Sequence, residues 1–322
     1  MKSLEALTQV YSYMFPEVRK TVFHNEGQND NGHSSRLFLS PKEMDAVHEP
    51  IIQKYVDNHL ETLPGLGNFS FRYPTAGSEE GIREFMTKLA LQGVKKFYVL
   101  NGEYEGYKFV GQTRGMGAVE VFNPDFSRIR PGWFFISNPS ARDGNIIPNQ
   151  VIDEICMAGH KVFYDLAYVD STEQHSFDLT NPGIRTAVCS FSKPYGMFYF
   201  RVGFAFSREE IPSLYGNKWF KVVPSLLDAQ NVMEQIDPKQ LHAKYMPFQK
   251  KIVQEINREL GLNLSPSDAL LLAHLTSENS TKLDAEQRRM LAPFSRGGGY
   301  RLCLKPYYEK LEKAGAFGYK VL

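Results

Sequence analysis

The sequence predicts an α/β protein: a large domain with a mostly parallel sheet between helices on both faces, followed by a smaller α+β domain. Short apolar segments that resemble strands alternate with helix-like segments from Phe69 to Phe206, which is the order found in parallel sheets. After Ser207 the pattern changes to long helical stretches. The 322 residues are too many for one small core, so one large and one smaller domain are expected.

Each helix in the alternating region should bury one apolar side, as Ile82, Phe85 and Leu89 indicate for the helix that contains them. The predicted helices are Pro50–Leu63, Glu79–Leu91, Tyr104–Gln112 and Pro148–Ala158. The predicted strands are Phe69–Tyr73, Lys96–Leu100, Val119–Phe122, Trp133–Ser137, His160–Tyr164, Thr186–Phe191 and Tyr199–Phe206. In a sheet of this kind, ligands bind beyond the carboxyl ends of the strands.

The two ends of the chain differ from this central region. The polar stretch His24–Ser35, rich in glycine and asparagine, predicts a loop. We expect an N-terminal segment at residues 1–45, which acts as a lid or an interface, and a large domain at 46–207. Residues 208–322 should form an interdomain helix and the small C-terminal domain.

Helical periodicity dominates the start of this C-terminal part. One long helical stretch is predicted over Leu227–Leu260, with candidate breaks near Pro238 and Pro247. A strand at Tyr300–Leu304 and a last helix at Tyr307–Ala314 complete the prediction.

Composition narrows the class of protein. The formal net charge is +1, from 37 basic and 36 acidic residues, which gives no reason to expect nucleic acid or an acidic membrane as a partner. No apolar run approaches the length that spans a bilayer, and the N-terminus lacks the apolar core of a signal peptide.

The three cysteines are widely spaced, which predicts reduced thiols, and no pair of cysteines or histidines has a spacing typical of a metal site. We therefore expect a cytoplasmic protein without a metal.

Lys193 is placed unusually, just after the buried strand Thr186–Phe191. A lysine at the ligand-binding end of a sheet loses solvation, which lowers its pKa, and a neutral amine attacks aldehydes. Two nearby serines and Arg201 could bind a phosphate. Taken alone, the observation is better explained by a strand-end lysine that points into solvent.

The surrounding residues add a family resemblance. Residues 190–196 (SFSKPYG), with Arg201 followed by Val-Gly, resemble the lysine motif of the class I/II aminotransferases, which are pyridoxal-phosphate (PLP) enzymes of fold type I. The resemblance implies that Lys193 holds PLP as a Schiff base, the internal aldimine. It also implies that Ser190, Ser192 and Arg201 hold the cofactor's phosphate.

The resemblance covers roughly residues 69–315 and implies an aspartate-aminotransferase-like large domain with a seven-stranded, mostly parallel sheet. One position departs from the family. Tyr199 stands where the family usually has a small residue, which leaves open the shape of the loop on the cofactor side and therefore the substrate.

Two upstream segments continue the resemblance in the family's order. Residues 133–144 (WFFISNPSARDG) resemble the family's strand followed by Asn-Pro, which makes Asn138 a donor to the cofactor's phenolic oxygen and a substrate-binding residue. A plain Asn-Pro turn is the alternative. Residues 162–168 (VFYDLAY) resemble its strand ending in Asp-x-x-Tyr. Asp165 would pair with the pyridine nitrogen and Tyr168 would bind the phenolic oxygen, unless Asp165 merely caps a turn.

Two further segments fit the cofactor side. Gly77, Ser78 and Glu79 open a predicted helix, where free backbone N–H groups suit a phosphate, and the family has its phosphate cup there. Residues 101–107 (NGEYEGY) resemble the family's Pro-x-Tyr-x-x-Tyr, whose first tyrosine, here Tyr104, stacks on the pyridine ring. The proline is missing, so a surface tyrosine is the alternative.

Near the C-terminus, residues 298–304 (GGYRLCL) resemble the strand that carries the family's arginine for the substrate carboxylate. Arg301 is the candidate because its planar fork meets a carboxylate through two hydrogen bonds. Arg296 competes for this role if the alignment shifts.

Together these motifs imply a PLP-dependent aminotransferase acting on a small-molecule amino-acid substrate, and a homodimer. Lys193, Asp165 and Tyr168 would be the catalytic residues. Another reaction on the same scaffold, such as elimination, decarboxylation or an oxidative or cyclising step, uses the same lysine and aspartate and stays open. A catalytically silent protein of the same fold is the third alternative.

Overall fold

A computed structural model describes residues 4–10, 12–24, 41–122, 125–218 and 223–318. His24 ends the first helix, and the remainder of the loop predicted at His24–Ser35 lies outside the described residues. None of the helices within these ranges is both long enough and apolar enough to cross a bilayer.

A seven-stranded sheet forms the centre of the molecule, in the order β1-β7-β6-β5-β4-β2-β3. Only β7 runs antiparallel to its neighbours, β1 and β6, and the other pairings are parallel. The strands are β1 (Phe71–Thr75), β2 (Lys96–Leu100), β3 (Gly117–Val121), β4 (Trp133–Ser137), β5 (Lys161–Leu166), β6 (Ile184–Ser190) and β7 (Gly203–Ser207). The predicted mostly parallel, seven-stranded fold is confirmed.

Helices cover both faces of this sheet. They are α1 (Pro16–His24), α2 (Pro41–Asn58), α3 (Ser78–Leu91), α4 (Glu105–Thr113) and α5 (Asn149–Met157). On one face, Phe85 of α3 packs against Trp133 and Phe163, with ring centroids 5.0 Å apart in each pair. On the other face, Tyr55 of α2 packs against Phe204 at 5.1 Å. Burial of apolar side chains on both faces explains why these strands lack alternating polar residues.

The C-terminal part contains a second sheet, antiparallel, in the order β10-β11-β9-β8. Its strands are β8 (Ser265–Pro266), β9 (Leu272–Leu275), β10 (Ser295–Arg296) and β11 (Gly299–Cys303). The helices are α6 (Pro212–Asn217), α7 (Val223–Gln235), α8 (Pro238–Leu260), α9 (Ser277–Ser280), α10 (Ala285–Leu291) and α11 (Lys305–Lys313). The division at residues 45 and 207 remains a prediction.

Three element predictions need correction. The break near Pro238 exists, where the Asp237 side chain accepts a hydrogen bond from Lys239 N at 2.9 Å, but Pro247 lies inside α8. Burial of Tyr245 and Ile252 holds that helix together across the proline. The helix predicted over 50–63 runs instead from 41 to 58, with a proline inside it. The strand predicted over 199–206 begins only at residue 203, because Arg201 has a φ of 51°, outside the extended region.

Candidate functional site

The site lies beyond the carboxyl ends of β4, β5 and β6. Their hydrogen-bonded register places Ser137 beside Asp165, and Asp165 beside Val188. Lys193 follows the end of β6 by three residues. The fold therefore gathers the residues after these strands at one edge of the sheet, where α/β proteins bind their ligands.

The Lys193 amine is held in a dry environment. Its Nζ donates a hydrogen bond to the carbonyl oxygen of Val10 and lies 6.0 Å from the centroid of the Phe198 ring. The pKa of Lys193 is lowered to about 8, mainly by burial and also by the positive charges of Arg301 and Arg201, while Cys303 acts in the opposite direction. A substantial fraction of this amine is thus neutral near physiological pH, which a nucleophile or proton acceptor requires.

The predicted phosphate site forms a cradle at the start of α3. Gly77 precedes the helix with a φ of 79°, and a Cβ atom there would lie 3.0 Å from Arg201 Nη2 and 3.6 Å from Ser190 Oγ. Arg201 Nη2 is held in place by the carbonyl oxygen of Ala76 at 2.6 Å. The cradle thus combines a guanidinium, a hydroxyl and the backbone of a helix N-terminus, which is a set that fits a phosphate dianion.

Ser192 supplies an observation independent of the motif. Its Oγ is buried and has no hydrogen-bond partner among the described residues. Its backbone N–H donates to Ser190 Oγ at 3.1 Å, which places the two serines side by side. A buried hydroxyl without a partner is costly, so this one fits a ligand oxygen. Ser78 and Glu79 are the first residues of α3 and bring their backbone N–H groups to the same place.

Asp165 is a buried carboxylate. Burial raises its pKa to about 7, although hydrogen bonds from the Tyr107 hydroxyl at 2.9 Å and from Ala167 N at 3.1 Å act against that rise. A protonated pyridine nitrogen would give this group the positive charge that favours its ionised form. Sequence reasoning missed Tyr107, although it is the second tyrosine of the Tyr-x-x-Tyr pair.

Tyr104 and Tyr168 line the rest of the site. The Tyr104 hydroxyl donates to Glu79 at 3.1 Å, and its ring meets Tyr107 edge-on at 5.4 Å. Burial raises the pKa of Tyr168 to about 12, while the charges of Arg301 and Arg296 lower it. Tyr168 is therefore a neutral hydrogen-bonding hydroxyl near two arginines.

The Asn138 side chain is engaged within the protein. It is completely buried, and its amide nitrogen donates to the carbonyl oxygen of Ile147 at 2.8 Å and to the Tyr164 hydroxyl at 2.6 Å. Its Oδ1 accepts from Ile147 N at 2.9 Å. Both amide hydrogens thus have acceptors within the protein, and donation by Asn138 to the cofactor's phenolic oxygen stays a prediction. Ala141, three residues later in the same loop, contacts Arg301 instead through its carbonyl oxygen.

Arg301 is buried on β11 with only 4% of its surface exposed. Its Nη1 donates a hydrogen bond to the carbonyl oxygen of Ala141, and its Nη2 donates one to the carbonyl oxygen of Thr8 at 3.4 Å. Its Nε has no partner among the described residues. Burial lowers its pKa. A buried guanidinium that is bonded by neutral carbonyls and has an unpartnered Nε fits a carboxylate ligand.

The N-terminal segment covers the site, which composition and periodicity do not reveal. Leu7 exchanges two backbone hydrogen bonds with Cys303 of β11, at 3.0 and 2.9 Å. Ser12 Oγ donates to Ser192 O at 2.5 Å. A Cβ atom on Gly196, in the lysine loop, would lie 2.4 Å from the backbone of Met14. The segment predicted as a lid or interface thus lies directly on the site where it is described.

These residues fit PLP. The cradle suits the phosphate of PLP, and the Ser192 hydroxyl has no other hydrogen-bond partner among the described residues. The buried Asp165 carboxylate would be stabilised by a cation such as the pyridinium nitrogen, and the Lys193 amine is poorly solvated. No cluster of three or more metal-ligating side chains occurs in the described ranges. A separate open cleft, along the outer strand β1, is lined in part by Tyr215 and Lys218 and shares no residue with this site.

Comparison with known proteins agrees with the geometry. A family model described as aminotransferase class I and II matches residues 80–265. A search of curated proteins finds no match. Among solved structures, an aminotransferase from Staphylococcus aureus has a TM-score of 0.68 at 17% identity, covering 98% of this chain and 93% of that one. An aspartate aminotransferase from Thermus thermophilus with maleate has a TM-score of 0.69 at 15%, covering 99% and 92%. A PLP-bound C–S lyase from Staphylococcus hominis has a TM-score of 0.66 at 13%, covering 98% and 92%.

Proposed function

The chain belongs to the class I and II aminotransferase family, and from that premise we propose that it is a PLP-dependent aminotransferase acting on an amino acid. One observation carries the proposal most strongly. Lys193, a buried amine with a pKa of about 8, lies close enough to both Arg201 and Arg301 for their charges to lower that pKa. The Lys193 amine thus lies near the phosphate cradle, through Arg201, and near the Arg301 guanidinium, which is suited to a carboxylate.

The cofactor is held by residues at its two ends. Ser190, Ser192, Arg201 and the first N–H groups of α3 bind the phosphate, because they converge on one cradle. Asp165, whose carboxylate Tyr107 keeps in position, would pair with the ring nitrogen. When bound, PLP supplies an electron sink for the electron pair left after a proton departs from the substrate's Cα.

Lys193 then moves the proton. Above its pKa of about 8 the free amine is neutral and accepts a proton, and the protonated amine can return it. Arg301 binds the α-carboxylate and so holds the substrate near Lys193. General acid–base catalysis of this kind contributes roughly 10²–10⁴-fold to rates.

Binding of ligands would require a movement of the N-terminal segment. The carbonyl oxygens of Thr8 and Val10 accept hydrogen bonds from Arg301 and Lys193. A substrate carboxylate at Arg301 and the cofactor at Lys193 would compete with Thr8 and Val10 for those two donors, so the segment would have to shift when they bind. Afterwards its apolar residues, which pack with Tyr168 and Cys303, exclude water from the reacting groups.

A PLP lyase is the second candidate, because the C–S lyase from Staphylococcus hominis shares the fold nearly as closely as the aminotransferase from Staphylococcus aureus does. Elimination would use Lys193 and Asp165 in the same way. A homodimer is proposed from family membership, and Tyr199, 91% exposed beside the lysine loop, is a surface that a second copy would cover.

One experiment separates these candidates. Purified holoenzyme is incubated with a panel of amino acids, with and without keto-acid acceptors, and keto acid, ammonia and CO₂ are measured separately. We expect keto acid formed without ammonia, limited to the amount of enzyme when no acceptor is present and continuing over many turnovers when one is, and no product from Lys193→Ala. Ammonia release without an acceptor identifies a lyase, and full turnover by Lys193→Ala contradicts both candidates. An inert wild type with every amino acid indicates a catalytically silent protein.

A further inference from the structure

We infer that Glu103 is a positioning residue: a relay of hydrogen bonds runs from its buried carboxylate through Ser137 and Ala141 and orients the Arg301 guanidinium for a ligand carboxylate. The inference rests on the proposed function only in assigning the substrate's α-carboxylate to Arg301. It gives a role to a buried carboxylate that the proposed proton transfer does not use.

Glu103 lies in the loop between β2 and α4 and is only 7% exposed. Its Oε1 accepts a hydrogen bond from Ser137 N at 3.0 Å, and its Oε2 accepts from Ser137 Oγ at 2.6 Å and from Tyr104 N at 2.9 Å. Burial raises the pKa of Glu103, while these hydrogen bonds and the charge of Arg142 act against that rise. Because all three groups donate, they fit the ionised carboxylate, which can only accept.

Ser137, the last residue of β4, carries the relay into the loop that follows this strand. Its Oγ gives its single hydrogen to Glu103 and accepts a hydrogen bond from Ala141 N at 2.7 Å. The carbonyl oxygen of Ala141 in turn accepts a hydrogen bond from Arg301 Nη1. The relay therefore fixes residue 141, and residue 141 fixes the guanidinium, so the orientation of Arg301 depends on Glu103.

The relay leaves one edge of the Arg301 guanidinium open. Nη1 lies away from the edge formed by Nε and Nη2, and that edge can meet a carboxylate through two parallel hydrogen bonds. Nε has no partner among the described residues, and Nη2 donates only a long hydrogen bond, of 3.4 Å, to the carbonyl oxygen of Thr8. The Ala141 carbonyl thus orients the guanidinium without competing for the open edge.

A purely structural role for Glu103 is the rival explanation, in which its carboxylate merely joins the loops after β2 and β4. Breaking such a link lowers the stability of the protein, and it changes the affinities for carboxylate and for PLP together or not at all. The relay instead predicts a selective loss of carboxylate affinity, because the Arg301 guanidinium loses its orientation while the phosphate cradle is untouched.

The test measures binding of butyrate, an unreactive monocarboxylate, to PLP-loaded protein by isothermal titration calorimetry. Ser137→Ala removes the middle of the relay and should weaken butyrate binding about three- to tenfold, as expected for the loss of one hydrogen bond. The PLP affinity of this variant should stay unchanged, and Ser137→Thr, which keeps the hydroxyl, should restore butyrate binding. Glu103→Gln should weaken butyrate binding at least as much as Ser137→Ala, because a glutamine offers one oxygen to three donors.

Ser207→Ala is the matched control. Ser207 is also a buried serine at the end of a strand, and its Oγ also accepts a hydrogen bond from a backbone N–H, that of Glu209 at 3.3 Å. It pairs with Thr186 near the start of β6, so it lies at the opposite end of the parallel strands from the site. Its replacement should lower stability and leave butyrate affinity unchanged.

The inference is overturned by unchanged butyrate affinity in Ser137→Ala, by a parallel loss of PLP affinity there, or by an equal loss of butyrate affinity in Ser137→Thr or Ser207→Ala. If Glu103→Gln fails to fold, as judged by circular dichroism, the serine variants decide.

Arg301→Gln separates this inference from the proposed function, since it should weaken butyrate binding more than any relay variant does. Wild type that binds no butyrate, or Arg301→Gln that binds it as wild type does, contradicts the assignment of the α-carboxylate to Arg301 and the inference with it. Binding that depends on Arg301 but not on Ser137 overturns the inference alone and leaves the proposed function intact.

Discussion

The amine of Lys193 donates a hydrogen bond to the carbonyl oxygen of Val10, 183 positions earlier in the chain. This contact brings the N-terminal segment onto the residue on which the proposed chemistry depends. Because burial is the main cause of the lowered Lys193 pKa, the segment also influences how readily that lysine reacts.

The first prediction concerns the pH dependence of cofactor binding. The rate at which the PLP-free protein combines with PLP should rise with pH through a midpoint of about 8, because the neutral Lys193 amine is the nucleophile. Deleting residues 1–10 exposes the amine, so the midpoint should move up towards the ordinary lysine range. Stopped-flow absorbance measures both profiles. Identical midpoints in the two proteins would show that the segment does not shield Lys193.

A second prediction concerns Asp165 and stability. Its pKa rises from 3.8 to about 7 on folding, so the folded protein holds a proton that the unfolded chain releases. The resulting penalty is absent below pH 4, grows between pH 4 and 7, and is complete above pH 7. Asp165→Asn should therefore stabilise the PLP-free protein by about 1–3 kcal/mol at pH 8.

That gain should shrink as the pH approaches 4, and PLP should stabilise the variant less than wild type because the ring nitrogen loses its anion. Urea unfolding at both pH values measures the effect. Destabilisation at pH 8 would mean that Asp165 acts as a structural anchor through Tyr107 and Ala167.

A third prediction uses the two serines of the cradle. Ser192→Ala removes a buried hydroxyl without a partner, so the PLP-free protein should be as stable as wild type or more so. Ser190→Ala is the matched control, because it removes the acceptor for Ser192 N and should destabilise the PLP-free protein. Both should weaken PLP binding by about tenfold, as expected for a hydrogen bond to a charged phosphate. Unchanged affinity in Ser192→Ala would place the phosphate elsewhere.

A fourth prediction tests the homodimer. Tyr199→Ser should leave the monomer's stability unchanged and shift the monomer–dimer equilibrium towards monomer, because a tyrosine that is 91% exposed contributes to association but not to the core. Phe122→Ser, at a residue 72% exposed beside β3, serves as the control and should not affect association. Sedimentation equilibrium compares the three proteins. Equal dissociation constants for all of them would exclude Tyr199 from the interface.

The large sheet could be predicted from sequence because its signals are local. Apolar runs such as Lys96–Leu100 and Trp133–Ser137 gave strands with the observed bounds, and the lysine motif identified the family. Pro247 shows the limit of local rules, since packing of α8 outweighs the cost of a proline inside the helix.

The parts of the site that sequence reasoning missed depend on three-dimensional contacts. The Asn-Pro pair predicted a donor to the cofactor, with a plain turn as the alternative, and only the fold shows that the Asn138 amide bonds Ile147 and that Ala141 contacts Arg301. The Tyr107 hydroxyl donates a hydrogen bond to Asp165, 58 positions later in the chain. The Lys193 amine donates one to the carbonyl oxygen of Val10, 183 positions earlier. No periodicity encodes such pairings.

The attachment point of the cofactor tests the central claim most directly. PLP-loaded protein is reduced with borohydride, digested, and mapped by mass spectrometry to locate the pyridoxyl group. The account predicts a single labelled peptide modified at Lys193, and no labelled peptide from Lys193→Ala treated in the same way. A pyridoxyl group found on any other lysine of the wild-type protein, or wild-type protein that takes up no label, would contradict it.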